Sequence, residues 1–226
     1  SPLAGAATVV LQQGNLPSGT YAGNTDAFVT NGSTNNASPT RNYGGAGALA
    51  ISASTAAAPT NTQGEFQSFI EFDLALAKSS FDSQFGAGAW TVTAVQLQLT
   101  ATSPNNAIFN GYSPTNPLNT AGNIDVRWMA NDSWVEGTGT PASSQTTGLT
   151  YNNFSTFTGG SDQALGSFAF GGGITGVTNF NLGLTSGLLG DIASGSASTF
   201  QMMASSGSQV SALFDSRNFG SSASAR

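Results

Sequence analysis

The sequence predicts an all-β fold: an antiparallel, jelly-roll-like β-sandwich with long loops rich in Gly, Asn, Ser and Thr. Apolar and polar residues alternate with a period of two in many short runs, which is typical of strands with one buried and one solvated face. Clusters of Gly, Asn, Ser, Thr and Pro separate these runs and supply turns. We therefore expect one sandwich domain over residues 1–226, in which residues 1–7 could form an N-terminal arm.

The individual strands are predicted from this alternation. The clearest run is 95–99, where three apolar residues alternate with two glutamines. Trp128 falls on the apolar side of its run, so we expect it to be buried. Two short helical turns are expected, at 74–78 and 186–192. In chain order, the alternating runs are 66–73, 95–99, 124–128, 168–170, 179–184, 200–202 and 210–214.

Several connecting loops are long, notably 31–41, 52–64, 102–122 and 137–149. Loops longer than about 12 residues are uncommon unless they are functional or packed against the domain. In a sandwich such loops cap the ends, which is where binding surfaces usually lie.

The surface is predicted to be nearly uncharged. Charged residues make up 7% of the chain, against the roughly 25% usual in soluble domains, yet aromatic residues reach 10%. This aromatic content is typical of a folded core rather than a disordered chain. With five Lys and Arg and a net charge of −6, the chain lacks the basic surface that nucleic acids bind. No apolar run approaches the roughly 20 residues of a membrane-spanning helix, so we expect no membrane insertion.

The residue types argue against an enzyme. The chain has no His and no Cys, which removes the commonest general base, a common metal ligand and the thiol nucleophile. Two acid pairs could be placed as in a glycosidase: Glu71 with Asp73 on one strand face, and Asp132 with Glu136 in one loop. We favour the simpler interpretation, in which the first pair lies on a solvated face and the second organises a turn. The chain is therefore predicted not to be an enzyme.

Calcium is the one cofactor that the composition allows. Ca²⁺ accepts six to eight oxygen ligands, and carboxylate, amide and backbone oxygens are abundant in this chain. The candidate ligands are Asp26, Asp132 and Glu136. The sequence has no EF-hand loop pattern, and the alternative is that these carboxylates cap turns by accepting backbone N–H bonds.

Sugar binding needs exposed aromatic faces next to amide and carboxylate groups. Trp134 and Tyr151 lie near loops and are the best-placed candidates, and Tyr112 and Tyr43 are further ones. The alternative is that a single loop aromatic closes the end of the sandwich instead of stacking on a sugar.

Eight short blocks follow one another in a recognisable order. They are Asp26-Ala-Phe-Val, Asn42-Tyr43-Gly44, Leu49-Ala-Ile51, Ser68-Phe-Ile-Glu-Phe-Asp-Leu74, Val92-Thr-Ala-Val-Gln-Leu-Gln-Leu99, Asp132-Ser-Trp134-Val-Glu136-Gly-Thr-Gly-Thr140, Leu149-Thr-Tyr-Asn-Asn153 and Phe214-Asp-Ser216-Arg217-Asn218. In this order, over about residues 8–226, the chain resembles the DNRLRE domain family. The resemblance implies a jelly-roll-like β-sandwich in a secreted or surface protein. Related modules are attached to polysaccharide-degrading enzymes and are regarded as carbohydrate-binding.

The chain departs from the family pattern at three places. Glu71 stands where the family usually has Arg, and Asn218 stands where it often has Glu. The chain stops at Arg226, where the family would lead us to expect a Pro and one more strand. Without that strand we expect an open sheet edge at the C-terminus, and open edges pair with other chains.

Together these observations predict a non-catalytic extracellular structural subunit of a surface filament, sheath or matrix. Its partners would be copies of itself, joined through β-edge contacts. The alternative is a carbohydrate-binding module that recognises an extracellular polysaccharide through loop aromatics. Because the chain begins Ser1-Pro2-Leu3 without Met, we expect an exported protein whose signal peptide has been removed.

Overall fold

The computed structural model describes residues 5–13, 21–33, 36–53, 64–102 and 120–219. Strands predominate in these ranges, so the all-β prediction is confirmed. Residues 1–4 of the expected N-terminal arm lie outside them. The elements are β1 (Asn24–Thr30), β2 (Ala48–Ser52), β3 (Phe66–Asp73), α1 (Ala75–Phe85), β4 (Val95–Thr100), β5 (Gly122–Met129), a short 3₁₀ helix (Phe154–Thr156), β6 (Gln163–Phe170), β7 (Val177–Leu182), α2 (Ser186–Ser194), β8 (Ala197–Ala204) and β9 (Ser211–Asp215).

The strands form two antiparallel sheets. The larger sheet has seven strands in the order β6-β5-β8-β3-β2-β9, with β1 paired to β3. β2 joins β3 through the pair Ser52–Phe66, whereas β1 runs beside β3 along its whole length. β4 and β7 form the second sheet, in which Val95 lies opposite Leu182. The jelly-roll order of the connections stays a prediction.

The main hydrophobic core lies between the two sheets. The inward residues of β4 and β7, such as Leu97 and Phe180, pack with those of β5 and β8, such as Val126 and Met202. The ring of Phe168 in β6 stacks on Phe180, with ring centroids 5.0 Å apart. The period-two alternation of these strands therefore has the predicted physical cause, which is burial of one face.

The opposite face of β1 and β3 is also covered. Residues 130–157, called the covering segment below, place Trp134 and Leu149 against Ala27, Val29 and Phe69 of these strands. Half-buried Tyr151, Phe154 and Phe157 complete this second cluster. The predicted solvated face of 66–73 was therefore wrong for its first part, because Gln67 and Phe69 are buried.

Two further expectations differ from the structure in detail. The first helix is longer than one turn, since it extends from Ala75 to Phe85. Trp128 is only half-buried: it packs at the border of the main core, and its Nε1 donates to Oδ2 of Asp191 at 2.5 Å. Helix α2 supplies this acceptor, so the indole N–H is satisfied without full burial.

The predicted open edge at the C-terminal strand was wrong. β9 pairs with β2 along its whole length on one side. On its other side Phe214 forms a bridge with Ala101, and Ser211 forms one with Thr120. The residues directly after β4 and shortly before β5 therefore bridge to the edge that we expected to be free.

In the ranges listed above, neither α1 nor α2 is long and apolar enough to span a lipid bilayer. This agrees with the absence of a long apolar run in the sequence.

Candidate functional site

The predicted sugar-binding aromatics do not form one exposed surface. Tyr43 is 1% exposed, and its ring stacks on Phe28 with centroids 4.6 Å apart. Its hydroxyl donates to the carbonyl of Asn36 at 2.7 Å and accepts the N–H of Ser38 at 2.9 Å. Tyr112 lies outside the described residues. Tyr43 is thus a core residue that anchors its own loop, which corrects its assignment to a sugar site.

Trp134 is also buried, at 6% exposed. Its Nε1 donates to Oγ1 of Thr199 at 3.0 Å, and its ring packs against Phe69. This corrects the prediction of a stacking platform, because neither ring face is free for a sugar. Trp134 covers the outer face of β1 and β3 rather than an end of the sandwich.

Tyr151 is the one described candidate that keeps a partly exposed ring. Its hydroxyl donates to Oε2 of Glu65 at 3.2 Å, and Nδ2 of Asn31 donates to that hydroxyl at 3.4 Å. The ring rests on Phe154 with centroids 5.1 Å apart. Burial, and then the neighbouring Glu65, raise the pKa of Tyr151. An aromatic ring beside a carboxylate and an amide is the combination that sugar binding uses.

Asp26, Glu136 and Arg217 meet in what we call the Arg217 cluster. Nε of Arg217 donates to Oε1 of Glu136 at 2.6 Å, and its Nη2 is bonded to Oε2 of the same carboxylate. The backbone N–H of Arg217 donates to Oδ2 of Asp26 at 2.7 Å. The backbone N–H of Asp26 in turn donates to Oε1 of Glu136 at 3.2 Å. The cluster therefore ties β1, the covering segment and the chain after β9 together.

The three predicted calcium ligands are not brought together. Both oxygens of Glu136 are held by Arg217, in the bidentate geometry that arginine and carboxylate favour. Asp132 lies elsewhere and accepts the backbone N–H of Thr199 at 3.0 Å. Over the described part of the chain there is no group of three or more acidic side chains that could hold a metal ion. The trio of Asp26, Asp132 and Glu136 as one calcium site was therefore wrong.

The same contacts separate Asp132 from Glu136, which we had considered as an acid pair. Asp132 instead shares Thr199 with Glu71, because Oγ1 of Thr199 is bonded to Oε2 of Glu71 at 3.2 Å. Burial raises the pKa of Glu71, and the nearby charge of Asp132 raises it further. Burial also raises the pKa of Asp132. Asp132 therefore holds the start of the covering segment against β8, and Glu71 links β3 to the same residue of β8.

Asn42 is a structural residue that we did not single out from its residue type. It is fully buried, and its Nδ2 donates to the carbonyls of Glu136 at 2.5 Å and Leu149 at 2.8 Å. Its Oδ1 accepts the N–H groups of Gly44 at 3.1 Å and Gly139 at 2.9 Å. One amide therefore satisfies four backbone groups and fixes the covering segment. Its place in the Asn42-Tyr43-Gly44 block was the only signal for it.

The outer side of the two-stranded sheet carries what we call the amide face: Gln96, Gln98, Asn179 and Asn181. Nε2 of Gln96 donates to Oδ1 of Asn181, and Nε2 of Gln98 donates to Oδ1 of Asn179, both at 2.9 Å. Each bond joins residues that lie opposite each other in the ladder. All four residues are exposed. The result is an uncharged, hydrogen-bonded surface.

A small cavity of about 40 Å³ lies beside the Arg217 cluster. Asp26 and Arg217 line it together with Asn24 of β1, Asp215 of β9 and Gln13 of the N-terminal segment. Burial raises the pKa of Asp26 to about 7, and the charge of Glu136 adds to this rise.

The chain matches no known protein-family model and no curated protein. The resemblance to the DNRLRE domain therefore stays a prediction from the sequence.

Proposed function

We propose that this chain is a non-catalytic structural subunit of an extracellular filament, sheath or matrix, in which copies join through the edges of β6 and β7. The observation that carries the proposal is that two uncharged edge strands lie side by side without a further strand partner among the described residues. The DNRLRE resemblance, with the secreted proteins it implies, supports the extracellular location.

The two edge strands lie on the same side of the sandwich. β6 ends the seven-stranded sheet, and β7 ends the two-stranded one. They approach each other where the N–H of Gly183 donates to the carbonyl of Leu165 at 2.7 Å. Beyond this point Ala169 of β6 and Val177 of β7 are exposed, the latter at 55%. Unpaired backbone groups of such strands are templates for a strand from another chain.

These edges also lack the usual protection against pairing. Soluble proteins place charges, above all Lys, or Pro on exposed edge strands. β4, β6 and β7 contain no charged residue and no Pro. The adjoining amide face is neutral too, so a second copy approaches without repulsion between like charges.

The test is a pair of matched Val→Lys substitutions. We expect Val177→Lys on β7 to block assembly, because it places a charge at the proposed contact. Val135→Lys is the control, since Val135 is 61% exposed but lies in the covering segment. Light scattering and electron microscopy of concentrated protein measure the assemblies. A monomeric wild-type chain at high concentration contradicts the proposal, as does equal loss of assembly in both variants.

A second substitution probes the other edge. Ala169→Lys on β6 is expected to reduce assembly as Val177→Lys does, since the two strands form one contact surface. If only one of these variants blocks assembly, the contact uses a single sheet rather than the paired edges.

The alternative function is carbohydrate binding, and the observation that favours it is the Tyr151–Glu65–Asn31 group. A polysaccharide held there would stack on the exposed part of the Tyr151 ring and bond to the two polar side chains. Tyr151→Ala is expected to abolish retention in affinity electrophoresis against acidic and neutral polysaccharides. The control is Tyr21→Phe, because Tyr21 is buried in another part of the fold. Unchanged retention in Tyr151→Ala on every glycan that binds the wild type removes this site.

A further inference from the structure

Three residues that line the cavity beside the Arg217 cluster have a buried side-chain oxygen without a hydrogen bond. Five buried side-chain nitrogen or oxygen atoms lack a hydrogen bond in the described part of the chain. Three of these are Oε1 of Gln13, Oδ1 of Asn24 and Oδ1 of Asp215, and all three residues line this cavity. Asn24 and Asp215 are each only 8% exposed. Unpartnered buried acceptors are rare in folded proteins, so the concentration of three of them around one cavity indicates that a ligand or ordered water occupies it.

These atoms cannot satisfy one another. Each is a carbonyl or carboxylate oxygen, which accepts hydrogen bonds and donates none unless it is protonated. Their common partner must therefore be a donor or a cation. Leaving each of them buried without such a partner carries a desolvation penalty.

The charge at the cavity favours a cation over an uncharged donor. Asp26 and Asp215 line it, and Glu136 lies directly behind Arg217. Against these three carboxylates stands the single guanidinium of Arg217, which is already committed to Glu136. With all of these groups ionised, the local charge is −2, which one divalent cation balances.

We propose that this cavity is a Ca²⁺ site, with Asp215, Asn24, Gln13 and Asp26 as protein ligands through side-chain oxygens and water completing the coordination. The donor set consists of oxygen atoms alone, which is the set that hard cations bind. Amide oxygens and carboxylates in an irregular arrangement suit Ca²⁺, whereas Mg²⁺ demands near-octahedral geometry and retains most of its water. A water needs about 10–15 Å³ of such space, so about 40 Å³ accommodates an ion with a bound water.

The site differs from the proposed assembly surface and does not depend on it. Its ligands come from the N-terminal segment, β1 and β9, whereas the proposed contact uses β6 and β7. A bound ion would join these three segments, which are distant in sequence. We therefore expect it to act on the stability of the subunit.

The experiment is calorimetric titration of the EDTA-treated full chain with CaCl₂, followed by thermal unfolding. We expect one Ca²⁺ per chain, and a Tm rise of about 5 °C at a hundred-fold excess over Kd. Asp215→Asn keeps the shape of the side chain but removes its charge, and is expected to weaken binding by at least about ten-fold. Asp162→Asn, in the loop before β6, is the matched control and should bind as the wild type does.

A second variant keeps the test informative if Asp215→Asn folds poorly. Asn24→Leu replaces an unpartnered oxygen by an apolar group, so without calcium it should unfold at the same or a higher temperature than the wild type. With calcium it should lose the Tm rise.

Equal binding of Mg²⁺ and Ca²⁺ overturns the assignment of the ion. Absence of heat and of any Tm shift at about 1 mM Ca²⁺ overturns the site and leaves a water-filled cavity.

Discussion

The two outer faces of the sandwich differ in burial: one is covered by the chain itself, and the other is exposed. The outer face of β1 and β3 is closed by the chain's own covering segment, which buries Trp134 and Leu149 on it. The outer face of β4 and β7 carries glutamine and asparagine side chains that bond to one another and stay exposed. The first face needs no partner, since its apolar groups are already out of water. The second is uncharged, and it adjoins β6 and β7, which end their sheets among the described residues and through which we propose that copies join.

The two faces also differ in what their polar side chains bind. Asn42 fastens the covering segment through bonds to the carbonyls of Glu136 and Leu149, and the side chain of Glu136 is itself held by Asp26 and Arg217. On the open face the amide bonds join only neighbouring strands. Stability of the subunit should therefore depend strongly on the closed face and weakly on the open one.

The largest effect is expected from Trp134→Ala on the closed face. Removing this buried ring leaves a cavity and removes the indole N–H bond to Thr199, whose hydroxyl keeps its bond to Glu71, so the free energy of unfolding should fall by about 4 kcal/mol. Gln98→Ala on the amide face is the comparison, with an expected change below about 0.5 kcal/mol. Urea unfolding followed by fluorescence measures both. Similar losses in the two variants would show that the amide face carries more of the stability than its exposure indicates.

Asn42→Ala should have the next largest effect. It leaves two buried carbonyls and two buried N–H groups without their bonds to the side chain, which we expect to lower the free energy of unfolding by about 3 kcal/mol. Asn179→Ala is the matched control, because it loses one exposed bond to Gln98. Limited proteolysis reports on the covering segment directly. Cleavage should begin within residues 135–149 in Asn42→Ala and not in the control.

The smallest effect is expected from Glu71→Gln, which should change how the free energy of unfolding depends on pH. Its pKa is raised in the folded chain by burial, so the folded state holds the proton more tightly than the unfolded state does. As pH rises from the ordinary value of 4.5 through the raised pKa, the folded state therefore loses stability. Glu71→Gln should unfold with less dependence on pH over this range. Urea unfolding at several values between about pH 4 and pH 8 tests this, and parallel curves for variant and wild type would contradict it.

The alternation of apolar and polar residues predicted the strands that have one solvated face, but it did not predict strands that are buried on both faces. It predicted the runs of β4, β5 and β7, which bury one face against the main core. It missed β1 and β2, which were marked only by the family-like blocks at 26–29 and 49–51. Every residue of β2 is buried, and β1 is buried at all but one position. A strand covered on both faces has no reason to alternate, so its period does not appear in the sequence.

The site residues were predicted by type but not by arrangement. Asp26 and Glu136 do meet, but the residue that joins them is Arg217, which is 191 positions from Asp26 and 81 from Glu136. Local spacing carries no information about pairs so far apart. The aromatics were predicted as loop residues, and whether a loop ring is buried depends on the sheet onto which its loop folds.

The sequence by itself determined the strand-rich class, the antiparallel character and the low content of charged residues of this protein. These properties follow from local alternation, turn-forming residues and the scarcity of charge, each of which acts over a few neighbouring positions. The tertiary structure decided which outer face is closed, which carboxylate pairs with Arg217 and, over the described ranges, which strands end the two sheets. Those outcomes depend on packing between segments far apart in the chain, where burial rather than residue type sets the partner of each polar group.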